Sequence, residues 1–179
     1  MFDKKGTNFS WLFSFRDVCR AIVDARTVQA CVLPQLPCVD GGPLLVFEDN
    51  PHSSAIAALF FNALWSSFIL DYSARQKIHG AHLTKAIAYQ LPIPTQKTLK
   101  EKFLASTVLD FVGPRSLELT YVTYSLDGFA RDCKYQGPPF IWNSERRFLI
   151  RCELDAAFFH IYKINRDDVS YILETFQII

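Results

Sequence analysis

Between positions 75 and 85 the chain gathers Arg75, Gln76, Lys77, His79, His82, Thr84 and Lys85 around Gly80. These hydrogen-bonding groups fall within about three helical turns, and their chemistry suits recognition of a polyanion. Lysine and arginine neutralise phosphates and so fix register. Gln76, His82 and Thr84 carry the groups that read base edges. A glycine lets backbone approach a phosphate or a base closely. Arg16, Arg20 and Arg26 supply a second cationic strip from earlier in the chain. The alternative for this cluster is a solvated helix end, where basic side chains are favoured by the helix dipole.

Patterns that would carry out a reaction are missing. The sequence holds no glycine-rich phosphate loop, no GxGxxG and no GxSxG elbow. Asp110 precedes Glu118, but no Glu-x-Lys follows, so the carboxylates and lysine of a metal-dependent nuclease are not assembled. His79 and His82 have metal-pair spacing without a third and fourth ligand nearby, which reads as a polar loop. Asp167, Asp168 and Glu174 read as solvent-facing or capping acids. The expectation is therefore a protein without a catalytic centre, metal or cofactor of its own.

Positioning these residues falls to a small sheet and a long helix. Strands are expected at 11–15, at 26–34, where Val28, Ala30 and Val32 alternate with Thr27, Gln29 and Cys31, and at 44–47. Pro51, Ser53 and Ser54 suit a helix start, and Ile56, Leu59, Phe60, Ala63, Leu64, Phe68 and Tyr72 give one apolar face, so a single helix is expected from 51 to about 75–77. His79-Gly80-Ala81 breaks it. A short helix is expected at 82–89, then extended chain through Leu91-Pro92-Ile93-Pro94. Beyond it, helices are expected at 98–112, at 115–131 with Pro114 at its start, at 144–162 behind the cap Asn143, and at 166–175 behind Asn165. On the third of these, Phe148, Cys152, Ala156 and Phe159 are expected to face inward, and Arg151 can pair with Asp155. Arg146, Arg147 and Arg151 read as a solvated outer face paired with Glu145 and Asp155. Tyr121, Tyr124, Phe129, Phe158 and Phe159 read as core, or else as a docking face for a further domain. The fold class that follows is α+β: a half with a small mixed sheet at 1–94 and a mainly helical half at 95–179.

Composition narrows the function classes. Half of the residues are hydrophobic, which is enough for a packed core and argues against disorder. The formal net charge is +1, so any nucleic-acid surface must be local. The five cysteines are odd in number and lack a CxxC, and read as reduced thiols of a cytoplasmic protein. Met1 is followed by a polar, charged stretch, with no signal peptide. The apolar run 55–70 is interrupted by Asn62, Ser66 and Ser67, and reads as core and not as a membrane span.

One segment is more specific. Asn62-Ala63-Leu64, then Asp71-Tyr72-Ser73-Ala74-Arg75-Gln76-Lys77, His79-Gly80-Ala81-His82 and Gln90-Leu91-Pro92-Ile93-Pro94 follow one another in the order of a known pattern. This resembles the target-recognition region of type I restriction specificity subunits and of fused type II adenine-specific restriction–modification methylases. There a helix with "LNS" leads to a Gly-Gly-Thr-like turn, a short helix and "QLPIP". Asn62-Ala63-Leu64 and the missing second glycine depart from that pattern. Trp11-Leu12-Phe13 with Phe15-Arg16-Asp17-Val18, Arg26-Thr27 and Leu33-Pro34 are similar to the start of that region. Leu117-Glu118-Leu119-Thr120-Tyr121, Gly137-Pro138-Pro139-Phe140, Glu145-Arg146-Arg147, Glu153-Leu154-Asp155-Ala156 and Arg166-Asp167-Asp168-Val169 are similar to its tail, so the likeness spans nearly the whole chain. It implies a C-terminal, non-catalytic part of a DNA methyltransferase or restriction enzyme that binds duplex DNA and chooses the target sequence. S-adenosylmethionine would then sit in a partner methylase domain. Gly137-Pro138-Pro139-Phe140 also resembles the Asn-Pro-Pro-Tyr/Phe loop of adenine methyltransferases, but Gly137 has no side chain to accept a hydrogen bond from a target adenine. The alternative function is a structural domain that braces the methylase against its neighbours with little DNA contact.

Overall fold

The computed structural model describes residues 9–19, 25–37, 41–47 and 50–176. Strands β1 (Trp11–Phe15), β2 (Ala30–Pro34) and β3 (Leu44–Leu45) form a sheet in the order β2-β1-β3. Both pairings are antiparallel, with Phe13 opposite Val32 on one side and Leu45 on the other. The sheet is thus antiparallel where a mixed one was expected, because no strand here pairs through a parallel crossover. Phe13 and Phe15 on β1 are buried, and the sheet lies on α1 (Pro51–Trp65).

Helix α1 is the centre of the molecule. Asn50 caps it by accepting from the Ser53 N–H, with Pro51 in the first turn. It buries Ala55, Ala58, Leu59, Phe60, Ala63, Leu64 and Trp65, nearly all round its circumference, as a core helix does. One side packs with Trp11, Phe13, Val32, Tyr121 and Phe129. The other packs with Leu70, Leu83, Val112, Ile150 and Phe158, so residues from both sides of position 95 share this second cluster.

The single helix expected over 51–77 is instead two. After Trp65 the chain turns by 67°, and α2 runs from Phe68 to Arg75. Ser67 causes the break: its hydroxyl accepts from the Leu70 N–H as an N-cap and donates to the Leu64 carbonyl. Thr84 then caps α3 (Lys85–Ala88), and Thr95 caps α4 (Gln96–Leu99). No single helix among the described residues is long and apolar enough to cross a membrane; α1 and α2 meet that composition only as the bent pair.

The segment 98–131 differs most from expectation. A hairpin, β4 (Lys102–Phe103) with β5 (Ser106–Thr107), occupies what read as helix. Its tip places exposed Leu104 at a φ of 53°. Helix α5 (Val108–Thr120) starts at a reciprocal cap between Thr107 and Asp110, and Pro114 lies inside it, not at the start of a later helix. The chain breaks at Tyr121, makes a 3-10 turn (Tyr124–Leu126) and continues as α6 (Asp127–Asp132). Tyr124, expected in the core, is 71% exposed.

Helices α7 (Ser144–Ile161) and α8 (Arg166–Glu174) begin at Asn143 and Asn165 as expected. On α7 the buried face is Ile150, Leu154, Ala157 and Phe158. Phe148, Cys152 and Ala156 are exposed, and only Phe159 of the expected stripe is buried. Both stripes are apolar at helical spacing, so periodicity alone does not choose between them.

Candidate nucleic-acid interface

The glycine elbow is built by two buried anchors. Ile78 follows α2 and is 7% exposed, while Leu83 precedes α3 and is fully buried. The residues between them, His79, Gly80, Ala81 and His82, are all exposed. The far side of the elbow is tied to the chain after β1. Val18 bridges His82, the Cys19 N–H donates to the Ala81 carbonyl (2.8 Å), and the Leu83 N–H donates to the Asp17 carbonyl (2.7 Å). Arg16 is thereby brought beside the elbow.

The elbow stands open to solvent. A Cβ added at Gly80 would meet nothing within 4 Å, and its φ is not positive. Neither the local backbone nor packing requires glycine there. Gln76 and Lys85 are exposed and Lys77 is half-buried. Thr84 is exposed, and its oxygen already accepts from the Ile87 N–H at the start of α3. His82 Nδ1 lies 3.2 Å from Asp17 Oδ2, the acid that enters this surface. Arg16 is half-exposed, and its guanidinium donates to the Val18 carbonyl and to Gln29 Oε1 (3.3 Å). Arg20 lies outside the described residues.

Arg75 and Arg26 depart from the sequence-based expectation: both are turned inward. Their common partner is Asp71, which is fully buried on α2. Arg26 Nε lies 3.1 Å from Asp71 Oδ2, and Arg75 Nε lies 3.2 Å from Oδ1. The Thr27 N–H donates to both carboxylate oxygens (3.0 and 3.3 Å). Other donors of each guanidinium are also committed. Arg75 donates to Thr27 Oγ1 and to the Ala25 and Thr175 carbonyls, and Arg26 donates to the Ser66 carbonyl. Phe176 covers Arg75 at 4.1 Å, and Phe68 covers Arg26 at 4.2 Å. Burial pulls the Arg26 guanidinium below its ordinary range, with Asp71 opposing that shift. An arginine at the end of α2 reads from sequence as a helix-end cation. The signal that it turns inward was Asp71 four residues earlier, the i,i+4 partner.

The other residues weighed for chemistry find structural work. Gly137-Pro138-Pro139-Phe140 is a packing loop: the Phe140 N–H donates to the Tyr121 carbonyl (2.9 Å), and the Phe140 ring stacks on Tyr135 at 5.1 Å. A Cβ on Gly137 would sit 2.4 Å from the Tyr135 hydroxyl oxygen and 2.6 Å from its ring, so a larger residue there would push that side chain aside. Among the described residues, no group of three or more His, Cys, Asp or Glu side chains could hold a metal ion. Arg146 makes a two-pronged pair with Glu118 on α5 (2.9 and 3.1 Å) in place of the expected Glu145, while Arg147 donates to the Leu119 carbonyl and stacks on Trp142 at 3.9 Å. Asp155 accepts from the Phe68 N–H (2.8 Å), and burial pushes its carboxyl up to about 6. Comparison of the chain with protein-family models, with curated proteins and with solved structures finds no match.

Proposed function

We propose that this chain is a duplex-DNA recognition module of an adenine-specific restriction–modification system, with methyl transfer or cleavage carried out by another domain or subunit. The observation that carries this reading is the elbow 79–82. Buried Ile78 and Leu83 hold it outward, glycine leaves its tip bare, and Lys77, Lys85, His79 and His82 surround it. Backbone at such a tip can approach a groove, the lysines can meet phosphates, and Gln76 and the histidines can reach base edges. Arg26 and Arg75 are left out of the DNA-contacting set, because they turn inward to Asp71 and to backbone carbonyls. The order of sequence pieces around the elbow, similar to restriction target-recognition regions, supports the same assignment. S-adenosylmethionine would be bound by the methylase partner.

The test is fluorescence anisotropy of a labelled mixed-sequence duplex titrated with the full chain across a salt series. Log affinity should fall linearly with log salt. The Lys77→Ala, Lys85→Ala double variant should lower that slope by about 2, roughly 1 for each phosphate that is no longer neutralised. No salt-dependent binding by the wild type, or an unchanged slope in the double variant, sinks the assignment of the elbow.

A second role is favoured by a separate observation. Phe148, Leu149, Ile141 and Trp142 are 49–93% exposed near the start of α7. Exposed apolar side chains gathered in one stretch of chain would suit bracing of a neighbouring domain.

A further inference from the structure

Among the described residues strand β2 is an edge of its sheet, and its register decides which of its backbone groups face outward. The Arg16 N–H donates to the Gln29 carbonyl (2.9 Å) and the Gln35 N–H to the Ser10 carbonyl (3.1 Å), on either side of the ladder in which Phe13 faces Val32. Antiparallel pairing alternates. Positions 29, 31, 33 and 35 therefore turn their N–H and C=O toward β1, and Ala30 and Val32 turn theirs away from it. Pro34 has no N–H. Beyond this edge lies a cleft of about 270 Å³, lined by Ala30, Cys31 and Val32 on one side and by Asn62, Arg147 and Arg151 among others on the other.

The cleft has unmatched hydrogen-bonding capacity and two guanidinium groups, Arg147 and Arg151, in its lining. The Thr120 hydroxyl donates to the Ser116 carbonyl (2.6 Å), so it accepts from Asn62 Nδ2 (3.0 Å) and fixes the direction of that amide. Asn62 Oδ1 is then left buried without a partner. Among the described residues neither Arg151 nor Arg147 makes a direct ion pair; Asp155 attracts the first and Glu118 the second only at longer range, and Arg147 donates to the Leu119 carbonyl. Asp155 is the one acid lining the cleft.

We propose that the edge of β2, which no described strand pairs with on its outer side, takes up an extended acidic peptide segment of a partner protein as a further strand. The peptide backbone would pair with Ala30 and Val32, and its carboxylate would meet Arg151 and Arg147. Alternating outward donors and acceptors match a peptide main chain, and side-chain groups across the groove supply selectivity; this is strand addition at a sheet edge. The cations choose an acidic side chain over a basic one. This inference does not depend on DNA binding at the elbow, and either can fail alone.

The probe is a capped, fluorescein-labelled peptide, Thr-Val-Glu-Val-Thr, titrated into the full chain. Saturable binding is expected, with amide chemical-shift changes at Ala30 and Val32. Replacing Glu by Gln in the peptide, or Arg151→Ala in the protein, should each weaken binding about tenfold. Ala30→Pro removes an outward N–H while sparing the ladder to β1, and should weaken it similarly. A peptide N-methylated at alternate amides tests the same backbone contact on unaltered protein, in case the proline variant fails to fold. The proposal is overturned by absence of saturable binding at millimolar peptide, by binding that ignores N-methylation, or by a thymidine oligonucleotide that displaces the peptide from the cleft.

Discussion

Replacing Asp71 by alanine tests whether Arg26 and Arg75 are structural cations. The carboxylate is fully buried, accepts the Thr27 N–H and faces both guanidinium groups at 3.1 and 3.2 Å. Its removal strands two positive charges and a backbone donor in the interior. Breaking a buried ion pair by deleting one partner costs about 3–5 kcal/mol. The Arg26 and Arg75 side chains keep 27% and 14% exposure, and the rings of Phe68 and Phe176 still cover them. Water and the aromatic faces therefore recover part of the loss, which places the expected cost near the lower end, about 3 kcal/mol. For a chain of this size that lowers Tm by roughly 6–12 °C, and it lowers the urea midpoint by about 1 M or more. Thermal and urea unfolding followed by circular dichroism would measure both. Exchanging all three members for apolar residues, Arg26→Met, Asp71→Leu and Arg75→Met, should recover much of the stability, because no charge is then left without a partner. A loss below about 1 kcal/mol in Asp71→Ala would refute the reasoning and return the two arginines to the candidate DNA surface. The same argument makes Arg75→Ala a poor test of DNA contact, since it removes stability before it removes any contact.

Gly80→Ala should leave stability within about 0.5 kcal/mol, because the new methyl group meets nothing and φ is not positive; a fall in DNA affinity at unchanged Tm would report close approach at the elbow, and an unchanged affinity would exclude it. Asp155 has its folded carboxyl raised to about 6 from 3.8 by burial. Its contribution to stability is therefore present below about pH 4 and is lost as pH rises through 6. Asp155→Asn, which keeps an acceptor for the Phe68 N–H, should stabilise the protein by about 1–2 kcal/mol at pH 7.5 and by little at pH 4; the opposite ordering of urea midpoints would contradict this. Burial pushes the Cys133 thiol up to about 12, whereas Cys152 is exposed. Peptide mapping after brief iodoacetamide treatment at pH 8 should find Cys152 modified well before Cys133.

The parts of the fold readable from sequence were those with local causes. Asn143 and Asn165 announce α7 and α8 because a side chain that caps its own helix acts over three residues. The strand 11–15 and the exposed elbow at Gly80 are legible for the same reason: alternation and a breaker are local signals. The bend at Ser67 was hidden because the apolar positions continue across it, and a serine inside such a run gives no sign of which carbonyl it will bind. The β4–β5 hairpin was hidden because its tip holds Leu104 at positive φ, where glycine or asparagine would have advertised a turn. The face of α7 could not be chosen because two apolar stripes compete, and only packing against α1, α2 and α5 decides between them. At the candidate site the residue cluster was visible, but the separation of inward from outward cations was not. That separation depends on Thr27, Asp71 and Phe176, which are far apart in sequence.

The ring of Phe176, just beyond α8, is 4% exposed and rests on both arginines that face Asp71. Here a deletion that takes Thr175 and Phe176 would unroof a pair of cations and remove a carbonyl that Arg75 donates to. A variant cut before Thr175 that no longer binds would therefore be signalling a loosened interior rather than an absent recognition surface.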